Sequence, residues 1–156
     1  GAATWGPCSY QPGIPDMFFY GIHGIEGLFT IMGTGCQSVT RTSTAGADVL
    51  TGVWQGGRIG TFRGIREGKS GFGATAFGTK GIRSVDRASA YQELCEQIAT
   101  FFQTRRPPVK AYETIEIFAF MEAADESKRQ GGVPISLATT IQQAQRKAKE
   151  TLENVK

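Results

Sequence analysis

Val49-Leu50-Thr51-Gly52-Val53-Trp54-Gln55-Gly56-Gly57-Arg58-Ile59-Gly60-Thr61-Phe62-Arg63-Gly64-Ile65 places two runs rich in β-branched and aromatic residues around a Gly-Gly pair. A Gly-Gly pair between such runs marks a two-residue hairpin turn, because the favoured turn needs positive φ at its centre. The spacing predicts strands over residues 49–55 and 58–65. Side chains alternate along a strand, so Val49, Thr51 and Val53 share one face, and Leu50 and Trp54 share the other. Both faces carry apolar groups, whereas a sheet with one wet face alternates more cleanly. One face is therefore expected to carry helices, and the other to meet a further surface such as a second subunit. Trp54 and Phe62 are the largest candidates for that outer contact.

Outward from the hairpin, residues 36–44 read as a strand before it, and residues 72–77 and 81–85 as strands after it. Residues 1–15 hold Pro7, Pro12, Gly13 and Pro15 and read as an extended lead-in segment. Asp16 follows as a candidate helix N-cap. From Met17 to Met32 the apolar residues Phe18, Ile22, Ile25, Leu28, Phe29 and Met32 recur at helical spacing. Gly21, Gly24 and Gly27 interrupt this helix, each at a cost of up to ~1 kcal/mol against Ala in an exposed helix interior. Three of them in one helix point to close packing on another backbone or a ligand. The last third reads as helices over 90–102, 112–127 and 138–155. They are separated by Arg105-Arg106-Pro107-Pro108 and by Gly131-Gly132, with a short extended piece at Val133-Pro134-Ile135.

Composition narrows the function. A chain of 156 residues fits one domain with a real core. Its net charge of +3 is small, and the basic residues are scattered, the densest groups being Arg105-Arg106 and Lys147 with Lys149. No continuous basic stripe offers itself to nucleic acid. The 3 cysteines form no C-x-x-C pair, and with a single histidine no zinc spacing exists. They read as reduced thiols, which suits a cytoplasmic setting. No apolar run is long enough to span a membrane. The start Gly1-Ala2-Ala3 lacks Met and reads as an expression remnant, with the natural N-terminus expected elsewhere.

Few residues suggest chemistry. His23 is the only histidine. One reading is a helix histidine satisfied by a structural partner. The other is a group that exchanges a proton at neutral pH, since an imidazole titrates near ~6.5. Glu26 lies three residues on, on roughly the same helix face, where a carboxylate would orient the ring. Arg41, Arg58, Arg63 and Arg66 lie on or near strands. One of them could hold a substrate hydroxyl or carboxylate, though solvated or interface arginines are the plainer reading. Gly71-Phe72-Gly73-Ala74-Thr75-Ala76 fails the dinucleotide pattern because no helix follows it.

Tyr20-Gly21-Ile22-His23-Gly24-Ile25-Glu26, the hairpin around Trp54 and the run Glu122-Ala123-Ala124-Asp125-Glu126-Ser127 before Gly131-Gly132 together resemble the C-terminal domain of the glucose–fructose oxidoreductase / inositol dehydrogenase / MocA family. The resemblance covers roughly residues 14–137. It implies an α+β fold with a largely antiparallel, open-faced sheet and helices packed on one face. It implies that an N-terminal Rossmann domain holding NAD or NADP lies outside this chain, which by itself would bind no cofactor and no metal. Many members carry D-x-G-x-H-x-x-D on the helix facing the nicotinamide. His23 matches the His, Gly21 the Gly and Glu26 the second acid, while Phe19 stands where the first Asp would be. His23 is thereby implied as the catalytic proton carrier, with Glu26, Tyr20 and Asp16 on the substrate side. Asp16, two helical turns earlier, replaces the lost acid only if the helix start folds inward. Glu122 is read as structural, closing a helix end against the sheet. Three functions follow from the resemblance. The first is the substrate-binding and oligomerisation domain of an NAD(P)-dependent oxidoreductase acting on a sugar or polyol, self-associating through the open sheet face. The second is an NAD-dependent glycosidase or lyase that oxidises its sugar transiently. The third is a non-catalytic sugar-binding or scaffold protein, favoured by Phe19.

Overall fold

The computed structural model describes residues 1–86 and 91–154. Among the described residues, seven strands and four α-helices are present: β1 (Ala2–Pro7), α1 (Gly21–Met32), β2 (Cys36–Ser43), β3 (Ala47–Trp54), β4 (Ile59–Ile65), β5 (Gly73–Gly78), β6 (Gly81–Val85), α2 (Gln92–Thr104), α3 (Ala111–Arg129), β7 (Ile135–Ser136) and α4 (Leu137–Glu153). The strands form one sheet in the order β6-β5-β1-β4-β3-β2-β7. Every neighbouring pair is antiparallel except β1 with β4. This is the α+β, open-faced architecture expected from the sequence.

One face is covered. Leu50, Trp54 and Phe62 are fully buried on it, beneath α1 and α3. The rings of Phe29, Trp54 and Phe120 meet at centroid distances of 5.5, 5.5 and 5.9 Å. The Trp54 indole Nε1 donates to the Gly33 carbonyl at 2.8 Å, so even its polar edge is satisfied inside. Trp54 and Phe62 are therefore core residues and not outer contacts. The register explains why: Phe62 lies opposite Leu50, and Trp54 shares the parity of Leu50, so all three point under the helices. The other face is left with Val53, Ile59, Phe77 and Ile82, each more than a third exposed.

The lead-in segment is more than a lead-in. Ala2–Pro7 is an interior strand, parallel to β4 and antiparallel to β5, with Ala2 opposite both Gly60 and Ala76. Ala2 is buried, so Ala2 and Ala3 are part of the folded sheet. The helical pattern from Met17 also divides. A single helical turn covers Asp16–Phe18, and α1 begins only at Gly21. Pro15, not Asp16, stands at the cap position of that turn, and Asp16 is its first residue. The Gly56-Gly57 connection is a tight turn within Gln55–Gly57, with both glycines at φ 74°, the positive φ that such a turn requires. Residues 90 and 155, which open and close two of the expected helices, lie outside the described residues.

Candidate functional site

Helix α1 is laid unusually close to the sheet, and this sets where His23 points. A side-chain carbon on Gly24 would stand 2.1 Å from the Phe62 ring, so only glycine permits the contact. Thr4 Oγ1 on β1 donates to the Gly24 carbonyl at 2.9 Å. The buried stripe of α1 is Gly21, Gly24, Ile25, Leu28, Phe29 and Met32. His23 and Glu26 fall on the opposite, exposed side. Gly24 and Gly21 do pack closely, but on the side chains of Phe62 and Cys8 and not on a backbone or a ligand. At Gly27 the nearest atom stands 4.0 Å away and leaves room.

His23 borders a shallow cleft of about 150 Å³, with Thr4, Gly27, Phe72, Ala74 and Val85 among its lining. Strands β5 and β6 extend past α1 here, so the cleft has a helix for a wall and a sheet for a floor. The imidazole meets Tyr20 and Phe72 edge-on, at centroid distances of 5.6 and 6.2 Å. Its Nδ1 lies 3.3 Å from Glu26 Oε2, and both side chains are about half exposed (54% and 52%). Such a surface pair orients the ring more than it stabilises the fold. In the tautomer that carries its proton on Nδ1 toward Glu26, Nε2 is an acceptor. His23, Glu26 and Tyr20 are thus brought together. Phe72, on the loop before β5, is a neighbour that sequence reasoning did not single out.

Asp16 lies elsewhere. Its Oδ2 accepts from Arg41 Nη2 at 2.8 Å and from Lys128 Nζ at 2.7 Å, and no hydrogen bond joins it to His23 among the described residues. It therefore does not replace the acid lost at Phe19. Arg41 is not a solvated arginine either. It is fully buried, bonded to Asp48 at 2.9 Å and to Asp125, with Tyr10 Oη accepting at 2.7 Å. Arg66 pairs with the same Asp48. Three cations thus face three aspartates in a closed set that joins β2, β3 and α3 to the chain before α1. Burial raises Asp48 and Asp16, but hydrogen bonds from Tyr10 and Arg41 on the first, and from Lys128 and Arg41 on the second, hold both below the usual carboxylate range. Asp125 goes the other way, pushed up to about 6 by burial and by Asp16 and Glu122, against the pull of Arg41.

The α3 end does close against the sheet, but not through Glu122. Glu122 is exposed and pairs with Arg129 at 3.1 Å. The closing residues are Asp125, on Arg41, and Ser127. Ser127 Oγ accepts from the Arg41 backbone N–H at 3.0 Å and donates to the Val133 carbonyl at 2.7 Å.

No protein-family model matches the sequence, and no curated protein matches it. Solved structures do share the fold. A probable dehydrogenase from Thermotoga maritima superposes with a TM-score of 0.71 at 15% identity, over 89% of this chain and 56% of its own. An oxidoreductase from Agrobacterium radiobacter, in complex with NAD+, L-tartaric acid and magnesium, gives 0.61 at 12% identity, over 88% of this chain and 56% of its own. The fold is that of a domain found in oxidoreductases, and the chain spans little more than half the length of those two proteins. Among the described residues, no helix is long and apolar enough to cross a membrane.

Proposed function

We propose that this chain is the substrate-side domain of an NAD(P)-dependent oxidoreductase acting on a CH–OH group of a sugar or polyol. His23 exchanges the hydroxyl proton through Nε2, and Glu26 fixes the ring from Nδ1. The carrying observation is the arrangement of His23, Glu26, Tyr20 and Phe72 around one cleft at the exposed edge of α1. Support for the redox class comes from the two oxidoreductases that share the fold, one of which holds NAD+.

The residues present do not fit a dinucleotide. The glycines at 71 and 73 lead into strand β5, where a pyrophosphate cradle needs a strand turning into a helix. The cofactor therefore belongs to a domain outside these residues, and the chain's own part is to bind, orient and move a proton. The cytoplasm is the proposed compartment.

The test is His23→Ala in the longer enzyme that contains this domain. A kcat lower by about 100-fold or more, at unchanged melting temperature, is the expected result for an acid–base group. Unchanged turnover would return His23 to a structural role. A second reading, a sugar-binding protein without catalysis, is favoured by one observation: Phe19 replaces an acid, and Asp16 is held by Arg41 and Lys128. Binding of polyols without any nicotinamide reduction would select it. Cleavage of glycosides with no net turnover of the nicotinamide would instead select the transient-oxidation route.

A further inference from the structure

Helix α2 is amphipathic and stands uncovered. Leu94, Ile98, Phe101 and Phe102 form its apolar stripe and are 54%, 46%, 39% and 77% exposed. None of its residues is buried, and no other described element packs extensively against it. A helix of 13 residues is marginal in water without a packed face.

A matching surface lies vacant on the body. Helices α3 and α4 leave between them a groove of about 440 Å³, lined mainly by Phe18, Ile115, Phe118, Ile141, Ala144 and Ala148. The groove runs on α4 from Thr140 to Ala148, and the stripe on α2 from Leu94 to Phe102, each about 12 Å at the helical rise. The two alanines allow a third helix to approach closely. Charge agrees as well. Gln145 is shared between the groove and an adjoining hollow that carries Arg146 and Lys149, and the polar side of α2 carries Glu96.

The connector decides whose groove is filled. Arg105 ends α2 at φ 56°, and Pro107-Pro108 fixes the backbone that follows. In this arrangement α2 makes no extensive contact with its own α3. We propose that α2 of one copy seats in the α3–α4 groove of a second copy, and reciprocally, giving a two-fold dimer by helix exchange. This surface is separate from the His23 cleft and does not depend on the function proposed for it.

Cys95 provides the probe. It is exposed on α2, whereas Cys8 and Cys36 are buried. Thr140→Cys and Ala148→Cys place a second thiol at either end of the groove and serve both helix directions. A short bismaleimide should link at least one of these variants into covalent dimers, mapped by mass spectrometry between residue 95 and the new cysteine. The unaltered chain should not give that link. Ile98→Glu should abolish it and halve the sedimenting mass of any exchanged dimer, with helical circular dichroism retained. A link within one chain would show α2 folded on its own groove and overturn the proposal. So would the absence of any link in both variants.

Discussion

Arg41 Nε donates to Asp48 Oδ1 at 2.9 Å, and neither side chain has exposed surface. Removing Asp48 takes away the carboxylate that Arg41 and Arg66 share and leaves the buried set with more cations than acids. Asp48→Ala should therefore destabilise the domain by about 3–5 kcal/mol, read from urea unfolding. Arg41→Met combined with Asp48→Leu should lose much less than the sum of the two single changes. Additive losses would mean that the two charges are solvated independently.

The same cluster predicts the pH profile. Folded Asp125 holds its proton up to about 6, above the ~3.9 of a free Asp. Between those values the native state binds more protons, so this group's contribution to stability rises as pH falls from above 6 toward ~4. The depressed Asp16 and Asp48 act oppositely. Their contribution is full above ~4 and is lost as pH falls through their folded values. The melting temperature should rise gently from pH 7 to about 5 and drop steeply below 4. Asp125→Asn should remove the rise and keep the drop. A rise that survives in Asp125→Asn would assign it to another group.

Gly24 and Gly27 should respond in opposite directions, although both lie in one helix. Gly24→Ala forces a carbon into the Phe62 ring and should cost about 1–3 kcal/mol. Gly27→Ala meets only Thr4 at 4.0 Å and should be neutral or stabilising by up to ~1 kcal/mol. Thermal melts of the two single variants check this. Equal effects would contradict the close contact of α1 with β4.

The uncovered sheet face offers two cross-strand apolar pairs, Val53 with Ile59 and Phe77 with Ile82. Self-association through this face predicts that Ile59→Glu with Phe77→Glu removes one two-fold step of assembly in sedimentation. The change should be independent of Ile98→Glu on α2. An unaltered mass would leave this face to another partner.

Much of the sheet was legible because strand alternation is local. The Gly-Gly turn, the runs around it and the two later strands all stand close to where the sequence puts them. The faces needed the register. Once Phe62 is set opposite Leu50, both Trp54 and Phe62 are committed inward, and alternation within one strand could not say so. The interior place of β1 was hidden because its partners lie some sixty to seventy residues on. The start of α1 was misread because Asp16 is captured by Arg41, a residue far away in sequence. A signal for that cluster was present: Arg41 shares the parity of buried Val39, and Asp48 that of buried Leu50, so two opposite charges were aimed at the core. In the candidate site, His23 with Glu26 was visible from helical spacing. Phe72 was not, because a loop brought it there.

The position of β1 between β4 and β5 gives the domain an order of assembly. The hairpin β3–β4 can form by itself, and so can β5–β6, but neither can pair with the other without β1 between them. A chain emerging from the ribosome must keep residues 2–7 available until residues 73–78 have been made. Until then β1, or β4 where β1 has not yet paired with it, presents an open edge of backbone groups to any other strand nearby. Slow, late closure of this one strand is therefore expected to govern how fast the domain folds, and crowding during synthesis to govern how much of it misassembles.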